Sequence, residues 1–233
     1  MTIIGGGGHV GAFLVPALRA RGHEVLVADL KPGQADDGDP ARYQQVNALS
    51  ASQVNEAIRD ADLVVHMAVV LAFTPEQRAD PERVSRAYGV NVGSVVTCLE
   101  QCLLLDKPMV HISSMSVFAR YGQVPVDPSG PGDATDFYGF TKRLSEVACR
   151  DFAAQHPVRV TSLRLAFPTP DDLAPRWLLP HRTEAVQQRM DDGTPIAALP
   201  ASQLAVEVER CRDMPVGHTV RAVTAAPQTL LPS

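Results

Sequence analysis

Five glycines stand within seven positions of IIGGGGHVGAFL, residues 3–14. Gly6, Gly8 and Gly11 read as G-x-G-x-x-G, and Gly5, Gly8 and Gly11 as G-x-x-G-x-x-G. A glycine run is also what a flexible linker looks like, so its neighbours decide. Before it, Thr2–Ile4 is β-rich. After it, apolar residues at Val10, Phe13, Leu14, Ala17 and Leu18 follow a helical period that stops at Gly22. A strand that turns through glycines into a helix leaves few folds open.

The rest of the chain continues that alternation. EVLVAD (24–29), YQQVN (43–47), DLVVHMA (62–68), PMVHISS (108–114) and VRVTSLRL (158–165) read as strands. Helices are expected from Ser50 to about Asp60, from Asp80-Pro81 to about Leu105, and from Phe137 to Ala154. Asp followed by Pro is a helix-start signal. Residues 31–42 and 119–136 read as loops. Repeated β-α units predict an α/β fold, a Rossmann-like doubly wound parallel sheet. Residues 1–165 form the dinucleotide-binding domain in this reading. Residues 166–233, punctuated by Pro168, Pro170, Pro175, Pro180, Pro195 and Pro200, form a small C-terminal substrate-binding region. There a long connection, a short helix near Thr183–Asp191, a helix from Ser202 to Arg212, a sheet-completing strand HTVRAV (218–223) and a frayed tail are expected.

Composition narrows the function classes. The formal charge of −5 gives no reason for a nucleic-acid partner. Cys98 and Cys102 share one helix face and read as small buried hydrophobes, and Cys149 and Cys211 suggest no disulfide framework. A reducing cytoplasm is the default. No metal-ligand cluster is evident. The longest apolar run, Leu63–Phe73, is too short for a bilayer span, which takes about 20 residues. The N-terminus does not read as a signal peptide, and the first strand is short enough to expect a few further residues upstream.

Three constellations carry chemistry. Glycines let the backbone approach a pyrophosphate, which the helix N-terminus attracts. Asp29, 18 residues after Gly11, ends the second strand where a carboxylate meets an adenosine ribose. It accepts from a 2′-hydroxyl and repels a 2′-phosphate, which points to NAD rather than NADP, although Lys31 keeps the phosphorylated cofactor open. In YGFTK, Tyr138 and Lys142 share a helix face, and a neighbouring ammonium lowers a phenol's pKa toward general acid/base use. Finally, the strand VHISS ends in Ser113 and Ser114, with Ser116 beyond, at the sheet edge where ligands bind in such folds.

In this order, the motifs resemble the extended short-chain dehydrogenases/reductases, the NAD-dependent epimerase/dehydratase family. GGGGHVG, DLVVHMA, NVGSVVTCLEQC, SSMSVFA and YGFTKRLSE stand where that family has its glycine loop, fourth strand, asparagine helix, serine strand and tyrosine-lysine helix. The resemblance implies Tyr138 as acid/base, Lys142 on the nicotinamide ribose, Ser114 on the reacting oxygen, and Asn91 supporting the site helix or a proton path. Cofactor contacts are implied at Gly5, Gly8, His9, Val10, Gly11, Asp29, Asn47, Ala48, Met67, Ala68, Tyr138 and Lys142, with Gly6 and Gly7 as slack. Substrate contacts are implied at Ser114, Met115, Ser116 and Arg164. It also implies a homodimer through the helices around 91–105 and 138–154.

The chain departs from the family at three places. Asn47 stands for the aspartate that holds adenine, Phe118 for a tyrosine, and Met115-Ser116 for the Asp-Glu pair of dehydratases. The compact ending is similar to uronate dehydrogenases, in which comparison Arg164 binds a substrate carboxylate. Arg164 reads equally as a strand-end arginine tying loops together; Arg176 and Trp177 read as pocket-lining residues or, more readily, as surface or packing residues. The expectation is hydride transfer at a carbinol carbon of a sugar-like or sugar-acid substrate. Loops 119–136 and 168–200 would set specificity. An epimerase, and a dinucleotide-binding protein without catalysis, are the alternatives.

Overall fold

The computed structural model describes residues 1–31, 42–72, 74–180 and 182–231. In chain order the first part runs β1 (Thr2–Ile4), α1 (Gly11–Ala20), β2 (Leu26–Asp29), β3 (Tyr43–Gln45), α2 (Ala51–Ile58) and β4 (Val64–His66). There follow α3 (Pro75–Ala79), α4 (Pro81–Tyr88), a π-helical turn (Gly89–Gly93), α5 (Ser94–Leu104), β5 (Met109–Ser114), α6 (Phe137–Gln155) and β6 (Arg159–Leu165). The remainder comprises β7 (Pro168–Thr169), β8 (Trp177–Leu178), β9 (Ala185–Val186), β10 (Gln188–Arg189), β11 (Pro195–Ile196), β12 (Leu199–Pro200), α7 (Ala201–Glu209) and β13 (Gly217–Val223).

Seven strands form one parallel sheet in the order β3-β2-β1-β4-β5-β6-β13. Order reverses between β1 and β4, which places a ligand crevice beyond their C-terminal ends. Side chains alternate between the two faces. Ile3, Val27, Val65 and Val110 join Leu14 and Leu18 of α1 and Leu204 and Val208 of α7 in one core. Ile4, Ala28, Val64 and Met109 join Val54 of α2, Leu99 of α5 and Cys149 of α6 in the other. The doubly wound expectation is realised, with β13 closing the sheet edge. Among the described residues, no helix is long and apolar enough to cross a membrane.

Four local expectations change. The helix expected near 183–191 is instead the strands β9 and β10, because Gln188 and Arg189 pair with Ile196 and Pro195 across a turn that needs the positive φ of Gly193. The long helix expected from Asp80 begins as read, with the Asp80 carboxylate accepting from Glu82 and Arg83 N–H, but it opens into a π turn at Gly89–Gly93. Helix α3 was not foreseen; Thr74 caps it through a capping box with Gln77. The tail is tied rather than frayed: Val126 N donates to Thr229 O and Leu231 N to Val126 O. Most of the loop expected at 31–42 falls outside the described residues, as does the end of the apolar run at Phe73.

Candidate functional site

One cavity of about 830 Å³ lies at the C-terminal edge of the sheet and collects most of the expected residues. Gly5, Gly8, His9, Val10, Gly11, Asp29, Asn47, Ala48, Met67, Ala68, Ser114, Met115, Ser116, Tyr138 and Lys142 all line it. Arg164 and Asn91 do not. Lining residues not foreseen include Tyr121, Phe167, Leu179 and Pro180; Trp177, read as packing, also lines it, whereas Arg176 is exposed. Their only sequence signal is aromatic and apolar character within loops, which period-based reading passes over.

The glycine loop is shaped by its neighbours and by open space. Gly5 has φ +83°, and a Cβ there would stand 2.4 Å from Ala68 backbone atoms, so the loops after β1 and β4 meet only because position 5 is glycine. Gly7 is not slack. Its N–H donates to Asp29 Oδ2 at 2.9 Å, and a Cβ would stand 2.7 Å from Lys31 O. At Gly8 a Cβ would meet only Gly5 O, at 3.6 Å, so the protein itself leaves that side of the loop clear. Helix α1 opens there with no side-chain cap and no acidic residue in its first turn. A cleared backbone beside an uncapped helix N-terminus suits a pyrophosphate.

Asp29 sits at the rim, its Oδ1 accepting from Leu30 N at 2.6 Å. Asn47 Oδ1 is spent locally, accepting from Leu49 N at 3.0 Å. His9 reaches the C-terminal region, with Nε2 3.0 Å from Leu178 O.

Tyr138 is positioned by the start of α6. Asp136 caps the helix, accepting from Tyr138 N and Gly139 N at 3.1 Å each, a cap worth about 1 kcal/mol. A Cβ at Gly139 would stand 2.2 Å from Ser116 O, so this glycine lets the helix start lie against the serine turn. Ser114 lies close enough to the Tyr138 hydroxyl to oppose the rise of its pKa, and its Oγ accepts from Ser116 N at 3.1 Å.

Lys142 is 4% exposed and donates from Nζ to Ile112 O at 2.7 Å. Its Nζ lies 5.9 Å from the Tyr138 ring centroid. Burial lowers the Lys142 pKa to about 8. The expected lowering of the tyrosine is not present: burial pushes Tyr138 up to about 12, against the opposing Ser114 hydrogen bond. Desolvation of the phenolate outweighs the ammonium at this distance, and Tyr138 is a neutral phenol at neutral pH.

Asn91 is a positioning residue. Its Oδ1 accepts from Val70 N at 2.7 Å, and its Nδ2 donates to Val70 O and to Thr141 Oγ1. Ser145 Oγ donates to Asn91 O at 2.7 Å. The π turn thus locks the loop after β4 to α6, and the Asn91 amide points into that joint rather than into the cavity. The glycines flanking it were the visible sequence signal.

Arg164 does not face a substrate. It is 2% exposed and pairs twice with Glu146, Nε to Oε1 at 2.9 Å and Nη2 to Oε2 at 2.7 Å. Its Nη1 donates to Pro128 O and Gly130 O, and its guanidinium lies 5.0 Å from the Phe118 ring centroid. Nε, Nη1 and Nη2 all have partners in the structure, an arrangement that ties the loop at Pro128–Gly130 to β6 and α6. Phe118 has become the apolar cover of this ion pair.

Residues 1–169 match the NAD dependent epimerase/dehydratase family. A UDP-glucose 4-epimerase of Azospirillum brasilense is 30% identical over 171 residues, covering 70% of this chain and 47% of that protein. The chain spans about half the length of the curated relatives it matches. Among solved structures, a short-chain dehydrogenase/reductase superfamily protein from Agrobacterium tumefaciens with bound NAD superposes with TM-score 0.74 at 18% identity, over 96% of this chain and 77% of that one. A mutated uronate dehydrogenase superposes with TM-score 0.69 at 18% identity, over 97% and 74%.

Two outcomes are expected of this site. Arg164→Met strands the Glu146 carboxylate and should cost about 3–5 kcal/mol, whereas Arg164→Met with Glu146→Leu should recover much of it. Urea unfolding of both variants checks this. The second outcome concerns pH. Between about 8 and 10.5 the unfolded chain holds the Lys142 proton and the folded one does not. Lys142 therefore makes stability rise with pH across that window. Lys142→Met should lose this rise relative to the native chain, read from urea midpoints at about pH 7.5 and 9.5, below the range where Tyr138 titrates.

Proposed function

Because the chain belongs to the NAD dependent epimerase/dehydratase family, we propose that it is an NAD-dependent oxidoreductase moving hydride to or from a carbinol carbon. One observation carries this reading. Ser114, Tyr138 and Lys142 converge in the same cavity as the glycine loop and Asp29. Gly5, Gly8 and Gly11 with the start of α1 would hold the pyrophosphate, and Asp29 a ribose hydroxyl, which favours NAD over NADP. When bound, NAD supplies the hydride acceptor.

The chain's own residues handle the oxygen and its proton. In the reductive direction Tyr138, protonated by virtue of its burial, donates to the carbonyl oxygen. Ser114, beside that hydroxyl in the same cavity, shares the same oxygen and fixes its direction. In the oxidative direction Tyr138 must first lose its proton, and Lys142 beneath it favours the phenolate. Met115 and Ser116 extend the wall beside that oxygen, and residues 166–200 would close the substrate end.

The sugar-acid form of the expectation loses its anchor with Arg164. The sugar-like form is supported by the relatives' names alone. Those names favour epimerisation as a second reading, in which hydride returns to the opposite face of a retained ketone. A protein without catalysis is disfavoured by the convergence of Ser114, Tyr138 and Lys142 in one cavity. Cytoplasmic residence fits four buried cysteines in free form.

Tyr138→Phe should lower turnover by about 10²- to 10⁴-fold with NADH binding retained, measured by NADH absorbance and calorimetry. Stoichiometric NADH from substrate supports the dehydrogenase; product without net NADH supports the epimerase. We also propose a homodimer through α5 and α6, where Val96, Leu104, Phe140 and Val147 are exposed. Light scattering should give twice the 25.0 kDa chain mass; a monomer at micromolar concentration would overturn it.

A further inference from the structure

Among the described residues, Tyr121, Phe167 and Trp177 give the cavity an aromatic wall that carries no charged side chain of its own. Tyr121, in the loop after β5, Phe167, just past β6, and Trp177, on β8, all line it. Phe167 stacks on Tyr121 at 5.7 Å and 27°, and meets Trp177 at 5.1 Å and 59°. The loop after β5, the end of β6 and strand β8 thus present one continuous surface. The Tyr121 hydroxyl is taken by Thr229 Oγ1 at 3.2 Å, and Thr229 is fully buried. The ring, not the hydroxyl, is what Tyr121 offers the cavity.

Phe167 is held there at a backbone cost. Its φ is +49°, in the left-handed region that a bulky side chain avoids. Such a residue persists only where its surroundings over-determine it. Here Ala166 N donates to Val223 O and Leu199 N to Phe167 O, fixing the peptide on both sides. The strain serves to place one ring between two others at the mouth of the catalytic pair.

The charges that line the cavity lie elsewhere. Among the described lining residues they are Asp29 on β2, Arg83 on α4 and Lys142 on α6. Arg83 is committed through Nε and Nη2 to Leu71 O at 3.0 and 2.8 Å. Lys142 is committed to Ile112 O. Arg164, the remaining cation near β6, is locked on Glu146. Bonds to neutral carbonyls leave the charges of Arg83 and Lys142 in place, but α4 and α6 carry them, not the segments that carry the rings, so a phosphate or carboxylate held against Tyr121, Phe167 and Trp177 would be desolvated with no cation supplied by the wall itself. A polyol would find few partners beyond Ser114, Ser116 and Tyr138, which between them serve the reacting oxygen.

We propose that the substrate is an uncharged secondary alcohol, or its ketone, whose body is an apolar ring stacked on Phe167 and Trp177. This rests on the NAD-dependent oxidoreductase reading and names its substrate class. The balance is ordinary. The alcohol gives its carbinol hydrogen with the bonding pair to NAD and its hydroxyl proton to solvent by way of Tyr138. Ketone, NADH and one proton result.

Trp177 is the one tryptophan in the chain, and it lines the cavity, so it tests the cofactor and substrate parts separately. NADH is titrated first, read by energy transfer from Trp177. Saturable transfer is expected; its absence, with calorimetry also silent, overturns the cofactor reading and this proposal with it. With NADH or NAD bound, 1-phenylethanol, acetophenone, D-galactose, D-glucuronate and UDP-glucose are then compared by calorimetry and NADH absorbance.

The expected result is saturable turnover of the 1-phenylethanol/acetophenone pair, at a kcat/KM at least tenfold above galactose and glucuronate, and no UDP-glucose binding. Phe167→Ala should raise the KM for acetophenone at least tenfold while leaving the NADH Kd within twofold. Preference for any of the three sugars, or no binding of the aryl pair to a chain that binds NADH, overturns the proposal and leaves the cofactor reading standing. An unchanged KM in a folded Phe167→Ala protein also overturns it.

Discussion

The site depends on how α6 is seated on the sheet, and the buried pair of Glu146 and Arg164 does the seating. Tyr138, Lys142 and Glu146 follow one another at intervals of four on α6, so they share one face. Glu146 Oε1 takes a hydrogen bond from Ser113 Oγ at 2.6 Å as well as from Arg164. Ser113 immediately precedes Ser114. One carboxylate therefore ties the helix that carries the phenol to the strand that carries the serine. Arg164 extends the tie to β6 and, through Pro128 and Gly130, to the loop in front of the cavity. A buried ion pair gains little net stability, but here both ends are fully hydrogen-bonded and the gain is in geometry.

Around that clamp, the helix-facing side of the sheet holds neutral polar groups rather than charges. His66 bonds Ser94 Oγ at 2.8 Å, and Ser162 Oγ lies between His111 Nδ1 at 3.1 Å and His218 Nε2 at 2.8 Å. Burial lowers His66 to about 3 and His111 well below its ordinary value, with the Lys142 charge adding to both shifts. These imidazoles stay neutral under an ammonium that is itself poorly solvated. The arrangement spares Lys142 a neighbouring cation. The strain at Phe167 is the counterpart on the other side of the cavity, where the backbone accepts an unfavourable φ to place a ring.

Much of this was legible in the residues. The glycines, Asp29, the serine strand and the Y-x-x-x-K helix have local causes: periodicity, turn chemistry and a cap. They were read in the right elements, and one cavity gathers them. What local reading leaves open depends on contacts between distant segments. Arg164 at a strand end reads equally as a ligand-binding or a loop-tying residue, and only the fold shows Glu146, 18 positions away, beside it. The pKa of Tyr138 was judged from its lysine alone, whereas burial among several elements sets its direction. Gly7 looked redundant because Asp29 and Lys31, its neighbours in space, lie more than 20 residues on.

The alternation of strand and helix, the glycine turn at the first crossover, and the order of the serine strand and the tyrosine-lysine helix are written locally in the chain. Those follow from propensity and period, which act within a few residues of chain. Which partners each cation meets, how the phenol is solvated, and that Tyr121, Phe167 and Trp177 form one wall follow from the assembled fold. Each of those depends on burial and on pairs joined across 10 to 108 positions of chain. Desolvation and contact are properties of the assembled core, and no local pattern in the chain encodes them.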